Sequence, residues 1–243
     1  MIGVTILTKH KKNSINDTSL QIFHREKAML ELKGVISDYY NQLKGLLYKL
    51  SFEYSETPKY KLAYKDTLSN VYVDSRKTTL SPDGLLWLGS ILTYRISELP
   101  EKIDGVGGLT FGADPISIST ATISNLFSQR LYAFSIRKEL KNHGLSNWIE
   151  GDFQKGDKVI IVDDVVTTGK STSLAIQRAR DSGLKVIKVF VLVDRQEDNG
   201  MQNIRNLDVE VEALYTITDL LELRQNESNR SSESHNNQWA ISG

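Results

Sequence analysis

The fold is decided by a stretch in the second half of the chain, Val159-Ile-Ile-Val-Asp163-Asp164-Val-Val-Thr167-Thr168-Gly169-Lys-Ser171-Thr172. Its first four residues are apolar and β-branched, which is typical of a strand buried on both faces of a parallel sheet. Two carboxylates follow at the carboxyl end of this strand, where open α/β sheets bind their ligands. Residues 173–182 have the pattern of a helix that Gly183 ends. The stretch therefore predicts a strand, a ligand-binding loop and a helix in an α/β domain.

The loop between this strand and this helix has the chemistry of a sugar-phosphate site. Free amides and hydroxyls that open a helix bind phosphate, because the amides and the helix dipole both point at the anion. A carboxylate beside a phosphate would repel it, so we expect Asp163 and Asp164 to serve another part of the same ligand. Sugar hydroxyls, which donate hydrogen bonds to carboxylates, or a divalent metal would satisfy them. The implied ligand is a sugar phosphate.

Two nucleotide-binding motifs nearly match the chain, and each fails at one position. Gly169-Lys170-Ser171 resembles the end of a Walker A loop, but Asp164 stands where that motif needs its first glycine. The glycine-rich run from Gly105 to Gly112 resembles a dinucleotide fingerprint, but Thr110 replaces one of the required glycines. This run still allows bare backbone to approach an anionic group. An ordinary strand-turn-helix with acids at its rim is the non-functional alternative for the first stretch.

Composition limits the kinds of partner and of site. The 243 residues include 30 Lys and Arg and 30 Asp and Glu, so no global field favours nucleic acid or membrane as a partner. The sequence contains no cysteine, which excludes disulfides, thiolate nucleophiles and Cys-type zinc sites. No stretch approaches the roughly 18 apolar residues of a membrane helix, and the start is not typical of a secretory signal. We expect a soluble, cytoplasmic protein.

The periodicity of apolar residues predicts one domain with two polar extensions. Residues 1–23 are predicted to be a loose N-terminal arm, and residues 225–243 a disordered polar tail. The domain between them, residues 24–224, divides into an N-terminal helix with hood elements (24–80) and a core (81–224).

Individual elements follow from local signals. Helical spacing of apolar residues predicts a helix over residues 24–50, and Ser81-Pro82-Asp83 predicts the start of another. Further strands are predicted at 71–74, 103–106, 132–136, 186–193 and 209–213, the last at an edge of the sheet. Residues 60–64 are a possible partner of the strand at 71–74.

Cationic and titratable residues are concentrated directly after the strand at 132–136. The run reads Arg137-Lys138-Glu-Leu-Lys141-Asn-His143-Gly144 and continues to Asn147. A charge run is usually a solvated face. Its place after a strand and its Gly-Leu-Ser-Asn ending instead favour a mobile loop, which we term the basic loop (residues 137–147). Such a loop can close over a polyanion, neutralise developing charge and exclude water.

Together these motifs resemble the type I phosphoribosyltransferases, and among them the orotate phosphoribosyltransferases. The acids followed by Thr-Thr-Gly resemble the family's site for phosphoribosyl pyrophosphate, and the basic loop with Ile149-Glu-Gly151 resembles its mobile loop. Gly107 to Pro115 resembles the pyrophosphate loop of a bacterial branch. Val193 to Gln196 resembles the strand end that carries an orotate-contacting arginine. With Tyr72 to Leu80 added, the resemblance covers roughly residues 40–223.

The resemblance implies a fold, an activity and an assembly. The fold is a central, mostly parallel sheet flanked by helices, with a small hood and the mobile basic loop. The activity is transfer of the 5-phosphoribosyl group from phosphoribosyl pyrophosphate to orotate, which gives orotidine 5′-monophosphate and pyrophosphate in UMP biosynthesis. The implied assembly is a homodimer in which the basic loop reaches the neighbouring subunit's site. Neither nucleic acid nor membrane is an expected partner.

The same resemblance implies the roles of individual residues. Lys141, Asp163 and Asp164 are the expected catalytic residues, and Thr167 and Arg195 are expected to contact orotate. Mg²⁺ is expected to be held mainly through the substrate, with Asp163 and Asp164 nearby. The expected contacts of phosphoribosyl pyrophosphate are Arg137, Lys138, Lys141, His143, Asp163, Asp164, Val165, Val166, Thr167, Thr168, Gly169, Lys170 and Ser171.

One turn departs from the family's pattern and keeps two further hypotheses open. Many relatives carry Lys or Thr with Ser-Gly near the pyrimidine, whereas this chain reads Leu62-Ala63-Tyr64-Lys65-Asp66. Either Lys65 or Ala63 would fill that position, so a phosphoribosyltransferase for another base is the second hypothesis. A non-catalytic sensor of phosphoribosyl pyrophosphate is the third. Such a sensor would be expected to lose the cations of the basic loop, which this chain keeps.

Overall fold

The computed structural model describes residues 16–61, 68–127, 129–139 and 147–239. Its helices are α1 (Asn16–Ser51), α2 (Arg76–Thr79), α3 (Pro82–Ser97), α4 (Ala113–Leu126), α5 (Lys170–Asp181), α6 (Gly200–Arg205) and α7 (Ile217–Trp239). Its strands are β1 (Phe52–Tyr54), β2 (Tyr60–Lys61), β3 (Leu68–Ser69), β4 (Val71–Val73), β5 (Gly105–Leu109), β6 (Tyr132–Ile136), β7 (Ile149–Glu150), β8 (Lys158–Val166), β9 (Lys185–Asp194) and β10 (Glu210–Thr216).

A six-stranded sheet with the order β10-β9-β8-β5-β6-β7 forms the centre of the domain. Its neighbouring strands are parallel except for β7, which pairs antiparallel with β6. The central strand β8 is buried on both faces, since Val159, Ile160, Ile161 and Val162 are each at most 1% exposed. The predicted α/β fold with a mostly parallel sheet is confirmed. Since β5 and β8 are adjacent and parallel, the loops that follow them meet at one edge of the sheet.

Two layers of helices cover the sheet because the side chains of a strand alternate between its faces. Ile160 and Val162 pack into a core shared with helices α1, α3, α4 and α7. Val159 and Ile161 pack into the opposite core with α5 and α6. Helix α3 starts where the sequence predicted. Ser81 caps it, since the Ser81 hydroxyl accepts a hydrogen bond from the Gly84 amide at 3.1 Å.

The hood consists of two small antiparallel pairs, β1 with β4 and β2 with β3. The possible pairing of residues 60–64 with residues 71–74 is wrong for Tyr60 and Lys61, and residues 62–64 lie outside the described residues. Strand β1 follows directly on α1, and Phe52 stacks on Tyr48 of that helix with ring centroids 5.6 Å apart. The partner of β4 thus packs against α1, a contact between side chains that no local sequence pattern reports.

Both terminal helices extend past the predicted limits of the domain. Residues 16–23, predicted to be a loose arm, belong to α1, and residues 225–239, predicted to be a disordered tail, belong to α7. Helix α7 is tied to the hood region. The Tyr48 hydroxyl donates to Glu227 Oε2 at 2.7 Å, and the Arg224 guanidinium lies 3.7 Å from the ring centroid of Tyr54. No helix within the described ranges is long and apolar enough to cross a membrane.

Candidate active site

Asp163 and Asp164 lie at the carboxyl end of β8, and a different element holds each carboxylate. Asp163 is 6% exposed; its Oδ2 accepts a hydrogen bond from the Thr172 hydroxyl at 2.5 Å, and its Oδ1 accepts one from the Asp164 amide at 3.0 Å. Asp164 is half-buried, and its Oδ2 accepts a hydrogen bond from the Ser75 hydroxyl at 2.5 Å. The two acids are thereby fixed between helix α5 and the residue that precedes α2.

The environment of Asp163 opposes its ionisation. Burial raises the pKa of Asp163 to about 7, and the negative charge of Asp164 contributes to the increase. The hydrogen bonds from Thr172 and from the Asp164 amide act in the opposite direction. Near neutral pH the carboxyl group is therefore close to its titration point. A positive charge that develops beside it will favour the carboxylate form.

The residues that follow β8 enclose a small cavity at the N-terminus of α5. This cavity has a volume of about 190 Å³ and is lined by Asp163, Val165, Val166, Thr167, Thr168, Gly169, Lys170, Ser171 and Thr172. Gly169 has a φ of +73°, and a Cβ on it would lie 2.6 Å from the Gly200 carbonyl oxygen, so this turn requires glycine. The predicted ligand contacts from Asp163 to Ser171, except Asp164, thus line one cavity at a helix N-terminus, which is a site for anions.

The backbone of the loop after β5 lies close to the carboxylate of Asp164. A Cβ on Gly112 would lie 2.4 Å from Asp164 Oδ1, so a larger residue here would force the carboxylate of Asp164 to move. The loop is tied to the next strand because the Ser135 hydroxyl donates to Asp114 Oδ1 at 2.6 Å. The bare backbone predicted for this glycine-rich run therefore lies beside Asp164, next to the expected ribose site.

The described ends of the basic loop are held from two sides. Arg137 donates from Nε and Nη2 to Glu150 Oε1, at 2.8 and 2.6 Å. Arg178 of α5 donates to the carbonyl oxygens of Arg137 and Lys138, and its guanidinium lies 3.7 Å from the ring centroid of Trp148. Helix α5, whose N-terminus lines the cavity, thus also carries the arginine that holds the start of the basic loop and the residue that follows the loop.

Several predicted residues do not meet a ligand site in the described structure. The guanidinium of Arg137 is paired with Glu150, and the side chain of Lys138 is exposed. Lys141 and His143 lie outside the described residues, as do Ala63 and Lys65 of the departing turn.

Arg195 follows the end of β9 and lies beside the loop of residues 167–169 that joins β8 to α5. Its amide donates to the Val166 carbonyl oxygen at 2.9 Å, which brings Arg195 next to Thr167 at the ends of two adjacent strands. The side chain is 3% exposed, and Nη2 donates to Glu197 Oε1 at 2.9 Å. Nη2 also reaches Val71 O at 3.3 Å and Ser69 Oγ at 3.4 Å, which are long contacts. Its Nε is buried without a hydrogen-bond partner among the described residues.

Sequence reasoning missed three residues that support the site. Thr172 stands in the deciding stretch and Ser75 in the Tyr72–Leu80 motif, but nothing local indicated that their hydroxyls hold the two acids. Arg178 had no signal at all, because the carbonyl groups that it binds are 40 and 41 residues away along the chain.

The described residues offer hard oxygen ligands for a divalent cation but do not enclose one. Among them, no group of three or more His, Cys, Asp or Glu side chains could hold a metal ion. Asp163 and Asp164 are the adjacent carboxylates near the carboxyl end of β8. Hard divalent cations take six or more oxygen ligands. The residues therefore fit a cation that takes its remaining ligands from a bound substrate and water.

Known proteins resemble the chain in sequence and in fold. A family model described as "Phosphoribosyl transferase domain" matches residues 137–214. The orotate phosphoribosyltransferase of Aquifex aeolicus is 37% identical over 180 residues, which cover 74% of this chain and 96% of that protein. The orotate phosphoribosyltransferase of Synechocystis sp. is 40% identical over 153 residues, 63% of this chain and 75% of that protein.

Solved structures agree with these relatives. The Mycobacterium tuberculosis orotate phosphoribosyltransferase in complex with 5-phospho-alpha-D-ribosyl 1-diphosphate has a TM-score of 0.60 and 26% identity, and the match covers 75% of this chain and 98% of that one. The same enzyme in complex with Fe(III) dicitrate has a TM-score of 0.64 and 27% identity, over 75% of this chain and 98% of that one.

Proposed function

Since the chain belongs to the orotate phosphoribosyltransferase family, we propose that it transfers the 5-phosphoribosyl group of phosphoribosyl pyrophosphate to orotate. The products are orotidine 5′-monophosphate and pyrophosphate, a step of UMP biosynthesis, and the enzyme is a pentosyltransferase. One observation carries the proposal. A buried acid with a half-buried acid beside it, an anion cavity and a buried arginine with an unpartnered donor lie together at the carboxyl ends of β8 and β9.

The acid pair suits the ribose, where positive charge develops. A ring nitrogen of orotate attacks C1 as the bond to pyrophosphate breaks, and the ribose passes through an oxocarbenium-like state. Carboxylates that accept hydrogen bonds from the ribose hydroxyls stabilise this state more than they stabilise the ground state. Only such differential stabilisation accelerates the reaction. The raised pKa of Asp163 supports this role, because growing positive charge draws the group towards its ionised form.

The cavity at the N-terminus of α5 suits the 5-phosphate. Its volume of about 190 Å³ and its small, hydroxyl-bearing lining are compatible with a single phosphate group. The amides at a helix N-terminus and the helix dipole favour the anion without a side-chain cation.

Cations of the basic loop are proposed to neutralise the leaving pyrophosphate. Lys141 is the leading candidate, with Arg137, Lys138 and His143 on the same group; for Lys141 and His143 the support is the family resemblance alone. Arg137 would have to exchange its bond to Glu150 for a bond to pyrophosphate. The backbone of this loop end is held by Arg178, which donates to the carbonyl oxygens of Arg137 and Lys138.

Arg195 is proposed to bind the orotate carboxylate, with Thr167 beside it. The planar guanidinium fork matches a carboxylate, and a bidentate pair fixes the orientation of the base. The unpartnered Nε and the long contacts of Nη2 support this role, because a carboxylate would satisfy donors that the protein leaves poorly satisfied.

The metal and the assembly complete the proposal. Mg²⁺ is the proposed cation, held by substrate oxygens with Asp163 and Asp164 nearby; when bound, it neutralises part of the charge on pyrophosphate. We also propose a homodimer in which the basic loop of one subunit reaches its partner's site, and cytoplasmic localisation. Family likeness supports the dimer, and the absence of cysteine accords with a reducing compartment.

The direct test combines the protein, phosphoribosyl pyrophosphate and orotate, with and without Mg²⁺, and follows the loss of orotate absorbance. We expect Mg²⁺-dependent loss, and Arg195→Met should raise the KM for orotate far more than the KM for phosphoribosyl pyrophosphate. Arg205→Met, at an exposed position on α6, is the matched control. Turnover with a purine base but not with orotate would refute the proposal, and no turnover with any base would favour the sensor.

A second measurement tests the leaving-group role. We expect Lys141→Ala to lower kcat strongly while the dissociation constant of phosphoribosyl pyrophosphate changes little, because the charge that Lys141 meets grows mainly in the transition state. Unchanged kcat would assign the role to another cation.

A further inference from the structure

Helix α7 contacts the residue that follows Arg195 and, farther along, the segment that follows β1. At its start, the Thr218 hydroxyl donates to Gln196 Oε1 at 2.5 Å, next to Arg195 in the chain. Farther along, Arg224 donates from Nη2 to Glu56 Oε1 at 2.5 Å, and its guanidinium lies 3.7 Å from the ring centroid of Tyr54. Residue 224 also lies just beyond the part of the chain that carries the family motifs.

From Glu56 an unbroken series of hydrogen bonds leads to the base of the β2–β3 hairpin. Asn70 donates from Nδ2 to the carbonyl oxygens of Ser55 at 2.8 Å and Glu56 at 3.1 Å. The Ser55 amide donates in return to the Asn70 carbonyl oxygen at 2.9 Å. The side chain of Asn70 thus fastens the segment that Arg224 holds to the strand that leads into β4.

The series ends at Arg195. The residues on either side of Asn70 in the chain, Ser69 and Val71, supply the hydroxyl and carbonyl oxygens that Nη2 of Arg195 reaches at 3.4 and 3.3 Å. Both distances are long, so a shift of a few tenths of an ångström in this segment would make or break these contacts. The orientation of the Arg195 guanidinium is therefore sensitive to where the hairpin base lies.

We infer that Arg224 is a positioning residue for the base site: through Glu56 and Asn70 it adjusts the orientation of Arg195, whose Nη2 is also held by Glu197 at 2.9 Å. The inference rests on the proposed function, since it concerns the binding of orotate. Arg224 touches no substrate. Its ion pair with Glu56 is partly exposed, with side-chain exposures of 32% and 77%, and the stack on Tyr54 adds a cation–π contact. Pairs of these two kinds contribute modestly, so their loss should raise the KM for orotate by about three- to tenfold.

The kinetic test compares Arg224→Met and Arg224→Lys with the Arg205→Met control. We expect Arg224→Met to raise the KM for orotate about three- to tenfold, with kcat and the KM for phosphoribosyl pyrophosphate unchanged. Arg224→Lys keeps the charge and should recover part of the loss. Glu56→Gln should add little to Arg224→Met, because the two residues act through one contact. A rise in both KM values, or equal effects in the Arg205 control, would overturn the inference.

A second readout does not depend on activity. In the absence of substrate, Arg224→Met should speed amide hydrogen exchange at residues 55–57, 59 and 68–71, while the exchange of β8 and β9 stays as in the wild type. Unchanged exchange at these residues would also overturn the inference. If the exchange result holds but the wild-type protein does not turn over orotate, the proposed function fails and the contact itself stands.

Discussion

Replacing Thr172 with valine tests the electrostatics of the acid pair. The side chains have nearly the same shape, and Thr172 is fully buried, so the change removes little besides the hydroxyl that donates to Asp163 Oδ2 at 2.5 Å. A hydrogen bond to a charged group contributes about 1.5–3 kcal/mol. Its loss should therefore raise the pKa of Asp163 by about one to two units above its value of about 7.

The sign of the pH dependence follows from linkage. The folded-state pKa of Asp163 is raised above its unfolded value, so the stabilising contribution of this group is present at low pH and is lost as the pH rises through the folded pKa. In Thr172→Val the pKa of Asp163 is higher, so the free energy of unfolding continues to fall until a higher pH is reached. The variant should thus lose about 1.5–3 kcal/mol of unfolding free energy at pH 9, and clearly less at pH 5.5, where Asp163 is protonated in both proteins.

Urea unfolding at the two pH values and a profile of kcat/KM against pH measure these effects. If ionised Asp163 accepts the ribose hydroxyls, the acidic limb of the profile should move up by about one to two units. Thr120→Val is the control, since Thr120 is equally buried but donates to the Ile116 carbonyl oxygen within α4. Equal destabilisation at both pH values together with an unmoved acidic limb would refute the reasoning.

Two further substitutions test the supports of the site. Gly112→Ala should raise the KM for phosphoribosyl pyrophosphate by about tenfold or more, because the added Cβ would lie 2.4 Å from Asp164 Oδ1; initial-rate kinetics with this substrate varied would show it, and an unchanged KM would contradict it. Arg178→Met should lower kcat/KM by about tenfold and change the fluorescence of Trp148. The substitution removes two hydrogen bonds to backbone carbonyl oxygens and a cation–π contact with Trp148. Arg180→Met, which releases carbonyl groups elsewhere, should do neither.

Features that depend on neighbours in sequence were predictable. The strand at 132–136 has the predicted bounds. The β-branched run predicted β8, and the acids and Gly169 after it predicted the binding loop that precedes α5. The cap at Ser81 gave the start of α3. In each case the signal and the structure that it determines lie within one element or one turn.

Features that depend on distant partners were not predictable. The polar composition after residue 224 predicts disorder, yet α7 continues to Trp239, beyond contacts with Tyr48 and Tyr54 that come from the other end of the chain. The sequence identified Arg195 by resemblance, but its contacts with Ser69 and Val71 span 126 and 124 residues. Propensity and periodicity carry no information about such pairs.

The contacts of α7 with α1 and with the segment after β1 also bear on the order in which the protein folds. The Tyr48–Glu227 hydrogen bond closes a loop of 179 residues, and the Arg224–Glu56 pair closes one of 168. Contacts between such distant residues carry a high entropic cost of closure and form after local ones. During synthesis on the ribosome, β8, α5 and the loop between them can assemble before residues 224–227 have been added to the chain. The residues proposed to bind the 5-phosphate should thus take their places before those proposed to bind the base, whose contacts are completed only after residues 224–227 have been synthesised.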